Sequence, residues 1–379
     1  MHLAKICFSA ALLSTTVHGL PTAPQGRGIL DEVGILDDIL VFDSPAYPDP
    51  ANAGNTLIDL QTFVSLRQID LGGLAAALSA ALTTLGVNVG DKLGNLQERV
   101  KLIGAIGLPG KSTTVSIAGC SAKAKTGETS GSDLGMSLKT GVSLGACNAG
   151  REFEATATLG GLFNSRTVKA SVFSSPDSGF GVISDIDDTV KISNTLDKLA
   201  LLRSTLLDDP KPVPGMPELY SSLSQSLDDP QFVYITASPF QLYPFLNDFL
   251  DTTYSSAKGP IFTSNLTIAD PSEIIQFVTS SNTEAFKLAS IDRLNGMYPN
   301  KKWLAIGDST QKDPEVYAQS IRKHGDWIAC AWIRRVEGAN NTDARFAAAF
   351  ADIPASRFRI YTDADIPGLA DIDVAGGEC

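Results

Sequence analysis

Residues 181–193, GVISDIDDTVKIS, run from an apolar stretch into Asp185, Asp187 and Asp188 within four positions. Carboxylates are rarely buried without a partner, because an uncompensated charge in low dielectric costs several kcal/mol or takes up a proton. Three of them at the end of a buried strand call for a cation. Further along the chain come Thr236 after the apolar FVYI, Lys287 in a helical stretch, and GDSTQKD (307–313) with Asp308 and Asp313 after KWLAI. Carboxylates in such an arrangement can act as nucleophile, proton carrier or oxygen ligands for a hard cation, and a hydroxyl and an ammonium can donate to an anionic group.

Such residues need a frame that gathers strand ends. From Gly179 onward the strand candidates FGVISD, FVYIT, KWLAIGD, WIACAWI and FRIY alternate with the helical stretches MPELYSSLSQSL, NTEAFKLASIDRLNGM and DPEVYAQSIRKHG. The alternation predicts an α/β domain of doubly wound type, with a mostly parallel sheet and helices on both faces. Ligands of such sheets bind beyond the carboxyl ends of the strands, where the strand order switches. Asp185, Thr236 and Asp308 stand at those ends.

The motif series, with GFGVISDIDDTVKIS, PVPGMPELY, SPFQLYPFL and GDSTQKDPEVY, resembles the haloacid dehalogenase superfamily and, within it, the actin-patch-type phosphatidate phosphatase family. The resemblance covers roughly residues 177–362 and, more loosely, the β segment before them. It implies Asp185 as the nucleophile that forms an aspartyl-phosphate, and Asp187 as general acid and then base, work that calls for a pKa raised by its neighbours. It implies Thr236 as hydrogen-bond donor to the transferring phosphoryl oxygen, with Ser238 as competitor and a helix-capping hydroxyl as the plain alternative. Lys287 would offset the phosphoryl charge, Lys301 and Lys302 being surface alternatives. Mg²⁺ would be held by Asp185, the Asp187 backbone carbonyl and Asp308, with Asp313 supporting that shell. The implied substrate is phosphatidate or a related lipid phosphate, met at a membrane surface. Two rivals are a phosphatase for soluble phosphomonoesters and a non-catalytic binding protein that works through its β segment.

Other patterns fail on context. GVSLG (141–145) matches a nucleophile elbow, with His324 later in the chain, but an elbow joins a strand to a helix and Ser143 leads into another strand. LPGKST (108–113) has Ala105 where a phosphate-binding loop requires its first glycine. In DIDDTV, Thr189 and Val190 occupy positions that a calcium loop gives to Asp or Asn and Gly. The pairs Asp363 with Asp365 and Asp371 with Asp373 follow no strand and are expected in solvent.

Met1–Gly19 carries Lys5, an apolar run from Ile6 to Leu13, and Val17 and Gly19 before a cleavage point, the pattern of a secretory signal peptide. That run is too short to span a bilayer. Removal of Cys7 leaves Cys120, Cys147, Cys330 and Cys379 for an oxidising compartment. Cys120 is expected to pair with Cys147. Two sequons, at Asn265 and Asn340, are available for glycosylation. Residues 20–95 are read as a linker followed by a helical segment, with Leu71, Leu74, Leu78, Leu82 and Leu85 on one packing face. Residues 96–176 are read as a small antiparallel β-sandwich-like domain, and 177–379 as the catalytic domain. A net charge of −12 and a pI near 4.7 exclude the basic footprint of a nucleic-acid binder.

Overall fold

The computed structural model describes residues 37–66, 72–132, 135–148, 150–161, 164–264 and 283–379, so the signal-peptide and Asn265 expectations lie outside it. Short segments separated by turns pair edge to edge, but the sheet they form starts earlier than expected. Its strands are β1 (Asp37–Val41), β2 (Ser44–Pro48), β3 (Thr56–Leu66), β4 (Thr114–Ile117), β5 (Ala124–Lys125), β6 (Met136–Gly145), β7 (Glu152–Gly161) and β8 (Asn164–Ser174). Pairing is antiparallel except between β2 and β8. The expectation of linker and helix over 20–95 is therefore corrected: 37–66 supplies three strands. Strand β3 is largely buried on both sides. Ile58, Leu60 and Val64 enter the core of this sheet, while Leu57 and Phe63 pack into the two cores of the segment that follows. Ile58, Leu60 and Val64 alternate with Asp59, Gln61 and Ser65, so the period of two that marks a strand is present in this segment.

The helical part of the expectation holds in α1 (Gly72–Thr84) and α2 (Leu93–Arg99), where Leu78 and Leu82 are buried with Leu96 and with Leu202 and Leu206 of α3 (Lys198–Leu206). Leu85 is exposed and Leu71 lies outside the described residues. Disulfides join Cys120 to Cys147, and Cys330 to Cys379.

From Phe180 the chain builds a second sheet from β9 (Phe180–Ser184), β10 (Gln231–Pro239), β11 (Ile261–Ser264), β12 (Lys302–Asp308), β13 (Ile328–Arg334) and β14 (Phe358–Tyr361). All pairs are parallel, in the order β11-β10-β9-β12-β13-β14. Successive residues alternate between two cores, as strand geometry requires. Val182, Phe232, Tyr234, Leu304, Ile306 and Trp332 face α4 (Met216–Ser226) and α5 (Tyr243–Thr253). Ile183, Val233, Ala305 and Ile333 face α6 (Thr283–Met297) and α7 (Asp313–His324). Helices thus cover both faces of a parallel sheet. The chain leaves β9 toward β10 and returns on the other side of β9 as β12, so the order switches between β9 and β12. Helix α8 (Asp343–Ala349) and the short α9 (Ile366–Leu369) complete the described helices.

The two sheets share contacts. Phe42 packs edge-on against Tyr243 at 4.6 Å, the Tyr298 hydroxyl donates to the Ala46 carbonyl at 2.9 Å, and Arg293 pairs with buried Asp59 at 3.4 Å. Asp43 sits in the same junction, accepting from the Ser171 N–H at 2.7 Å. Burial pushes its pKa from 3.8 up to about 6, against that hydrogen bond. The native state therefore keeps a proton that the unfolded chain releases between these values, and wild-type stability falls as pH rises through that window. Asp43→Asn retains the acceptor without the charge. The variant should match wild type in urea unfolding near pH 4 and exceed it by up to about 3 kcal/mol at pH 8. An equal difference at both pH values would contradict this.

Candidate active site

The apolar strand β9 ends at Ser184, and Asp185 follows it directly with its N–H on the Ile306 carbonyl of β12 at 2.9 Å. Asp308 is the last residue of β12, and Asp313 opens α7. Asp185, Asp308 and Asp313 each offer a carboxylate oxygen, and these lie within 4.8 Å of one another. All three side chains are buried, as is Lys287 on α6, whose ammonium donates to Asp185 Oδ1 at 2.8 Å and to Asp313 Oδ1. The Thr189 hydroxyl lies between Asp185 Oδ2 at 3.3 Å and Asp308 Oδ2 at 3.4 Å. Asp313 also accepts from the Asp308 N–H at 3.2 Å. Gly307 makes room for this approach, since a Cβ there would fall 2.7 Å from the Asp313 Cβ.

Three carboxylates share one ammonium. Burial pushes Asp185 well above the usual carboxylate range; Lys287 opposes the shift, and Asp313 and Asp308 add to it. Burial and Asp313 likewise raise Asp308 to about 7. Lys287 stays protonated, because Asp185 and Asp313 outweigh the effect of its burial. This excess of negative charge, with oxygen donors alone in the cluster, fits a hard divalent cation such as Mg²⁺.

Asp187 faces a different set of groups. Its Oδ1 accepts from Ser193 Oγ at 2.6 Å and lies 3.1 Å from the Lys191 ammonium; its Oδ2 accepts from Thr236 Oγ1 and Ser238 Oγ, each at 3.0 Å. Burial alone would raise this carboxyl, but Lys191 and the hydroxyl donors outweigh it and hold the pKa at about 2. The expectation of a raised pKa is thus corrected for the chain without substrate. Both candidate hydroxyls are on the Asp187 carboxylate, with Thr236 buried and Ser238 partly exposed.

The loop that carries Lys191 and Ser193 is shaped by Asp188, at φ +57°. Its carboxylate accepts from the N–H groups of Ser193, Asn194 and Thr195 at 2.7–2.9 Å. Its carbonyl accepts from Arg334 at 2.6 Å, and that guanidinium pairs bidentately with Asp363 at 2.6 and 2.8 Å. Asp363 therefore serves a structural pair, contrary to the expectation that it is simply solvated. Lys301 and Lys302 lie at the opposite, amino end of β12, bonded to the carbonyls of Ser178 and Asp326.

All these side chains but Asp363 fall within residues 180–335, which match the family model described as phosphatidate phosphatase APP1, catalytic domain. Over these residues the chain is similar to the APP1-type phosphatidate phosphatases. The chain is 30% identical over 159 residues to the phosphatidate phosphatase APP1 of Saccharomyces cerevisiae, a match spanning 41% of this chain and 26% of that protein. The match thus takes in about a quarter of the curated relative's length. Among solved structures, a β-glucuronidase of Parabacteroides merdae aligns at 8% identity over 79% of this chain and 40% of that one, with a TM-score of 0.26. An α-galactosidase-like protein of Bacteroides fragilis aligns at 7% identity over 66% and 45%, with a TM-score of 0.15. Neither likeness is close enough to inform the fold.

The segment that matches the family model brings together Asp185, Lys287, Asp308 and Asp313, and, around a separate carboxylate, Asp187, Thr236 and Ser238. Lys191, Ser193, Thr189 and Arg334 escaped the sequence reading. Their signal is weak, since a polar residue after a strand is common, although a lysine four residues beyond Asp187 in a non-helical stretch is a usable hint. The elbow candidate comes apart in space. Ser143 is exposed within β6, paired with Leu57 of β3, while His324 ends α7 bonded to Asp292 at 2.8 Å.

Proposed function

We propose that the chain is a Mg²⁺-dependent phosphatidate phosphatase working through an aspartyl-phosphate, with a haloacid dehalogenase-like catalytic domain behind a β-sandwich-like one. One juxtaposition supports this most: a buried carboxylate, Asp185, held by Lys287 at the strand-order switch, with a second carboxylate, Asp187, two residues on among hydroxyl donors. In the first step an Asp185 oxygen attacks phosphorus while the bond from phosphorus to the lipid oxygen breaks. The leaving oxygen keeps that electron pair and takes a proton from Asp187. Asp187 then removes a proton from water, whose oxygen attacks the aspartyl-phosphate. Inorganic phosphate departs and both carboxylates are restored.

Asp187, at about 2, is ionised in the chain without substrate. A phosphate dianion placed beside it disfavours its charge and raises its pKa, so its acid form arises once substrate is in place. Lys287 fixes the attacking carboxylate and offsets phosphoryl charge. Thr236 and Ser238 are the hydroxyls positioned to turn from Asp187 to a phosphoryl oxygen. A divalent cation held by Asp185, Asp308 and the Asp187 carbonyl, with Asp313 behind them, would neutralise the charge gathered at phosphorus.

The lipid substrate is supported by the family match and by the activity named for the yeast relative. No helix among the described residues is long and apolar enough to cross a membrane. Secretion and glycosylation are part of the proposal, supported by the signal-peptide pattern and by two disulfides. The purified protein should release phosphate from phosphatidate with Mg²⁺, lose that activity in EDTA and recover it when Mg²⁺ is restored. Full activity in EDTA would contradict the metal assignment.

A further inference from the structure

The loop Ser309 to Lys312 joins the last residue of β12, Asp308, to the first of α7, Asp313, and so sets the separation of two of the three clustered carboxylates. Within it the Asp308 N–H donates to Asp313 Oδ2, and the Thr310 N–H donates to Asp308 Oδ1. Ser309 is tied to the end of β13: its N–H donates to the Arg334 carbonyl at 3.0 Å, and its hydroxyl accepts from the Val336 N–H at 3.0 Å.

A guanidinium from another element gathers the rest. Arg345 lies on α8, and its side chain is 12% exposed. It donates to the Ser309 carbonyl at 2.6 Å and to the Gln311 carbonyl, both in the loop. The same group pairs with both oxygens of Glu315, at 2.9 and 3.0 Å, in the first turn of α7. A further bond of 3.1 Å reaches the Asn340 carbonyl. One planar group thus fastens the loop after Asp308 to the helix that begins at Asp313. Five N–H donors in a rigid fork can serve two carbonyls and a carboxylate at once, whereas an ammonium is a point charge on a flexible stem.

We infer that Arg345 is a positioning residue of the metal site, which holds Asp308 and Asp313 at the spacing a cation needs by fixing the loop between them. The clustered carboxylates are not among its partners, so it acts through the backbone and through Glu315. The inference rests on the Mg²⁺ reading of the cluster and adds a residue to it. Groups that orient metal ligands from behind typically change metal affinity by about 10–100-fold when they are removed.

The test titrates Mg²⁺ alone into wild type, Arg345→Met, Arg345→Lys and Arg357→Met by calorimetry. Arg357 is the matched control at the other edge of the sheet. Its guanidinium donates to the carbonyls of Gly325, Ile328 and Ala329 and pairs with Asp326, at the amino end of β13. Arg345→Met should weaken Mg²⁺ binding at least about tenfold, and Arg345→Lys about three- to tenfold. Arg357→Met should leave the affinity at the wild-type value. In phosphate release, the Mg²⁺ concentration for half-maximal activity should rise by the same factor as the dissociation constant, a shift that loss of folded protein does not produce. Melting curves identify a variant that does not fold, and Arg345→Lys, which keeps the charge, then carries the comparison. Wild-type affinity in the folded Arg345 variants, or an equal loss in Arg357→Met, overturns the inference and leaves the Mg²⁺ reading standing. Absence of Mg²⁺ binding in wild type overturns that reading and the inference with it.

Discussion

Replacing Asp185 with asparagine is expected to reduce phosphate release from phosphatidate by at least about a thousandfold while leaving the chain folded. An amide does not attack phosphorus, and the substitution removes one of the three carboxylate oxygens gathered at the switch between β9 and β12. The fold should survive, because the Asp185 charge is itself disfavoured by burial and by Asp313 and Asp308, and Lys287 keeps Asp313 as partner. Phosphate release and a thermal melt on the same preparation read both halves of the expectation. Turnover near the wild-type level in a folded variant would sink the covalent mechanism.

Lys287→Met is expected to act on stability as strongly as on activity. The ammonium is 2% exposed and holds two buried carboxylates. Removing one partner from a buried charge cluster typically costs about 3–5 kcal/mol, because the remaining charges stay buried without compensation. Activity should fall as well, since the attacking carboxylate would lose its fixed direction. A cycle isolates the electrostatic part: in the Asp185→Asn background the same substitution should cost less, one stranded charge having been removed. Urea unfolding of the four proteins measures it, and equal costs in both backgrounds would show that Asp185 carries none of the stabilisation by Lys287, leaving Asp313 and packing to account for it.

Five of the six strands of the catalytic segment were legible, because short apolar runs such as VIS, VYI and WLAI, buried and bounded by turn residues, stand out; the four-residue edge strand β11 was not. DIDDT was legible for a related reason: charge at the end of such a run is costly unless it is used. Strand β3 was missed although Ile58, Leu60, Val64 and Leu66 alternate with Asp59, Gln61 and Ser65; only Leu57 and Phe63, which pack on the opposite face, interrupt the period of two. The role of Lys191 and Ser193 was hidden because Asp188, in a left-handed conformation, folds the loop back so that neighbours in sequence become donors to Asp187. The depressed pKa of Asp187 follows from those donors and could not be read from spacing. Arg334 was hidden for the same reason, its partners Asp188 and Asp363 lying 146 and 29 residues away.

The choice between a lipid and a soluble phosphomonoester bears most directly on the account. Wild-type kcat/KM for phosphatidate in mixed micelles is to be set against that for glucose 6-phosphate and glycerol 3-phosphate, at matched Mg²⁺ and pH. The account predicts a clear preference for phosphatidate that disappears from all three substrates together in Asp185→Asn. Equal or higher kcat/KM on the soluble esters would contradict the lipid assignment.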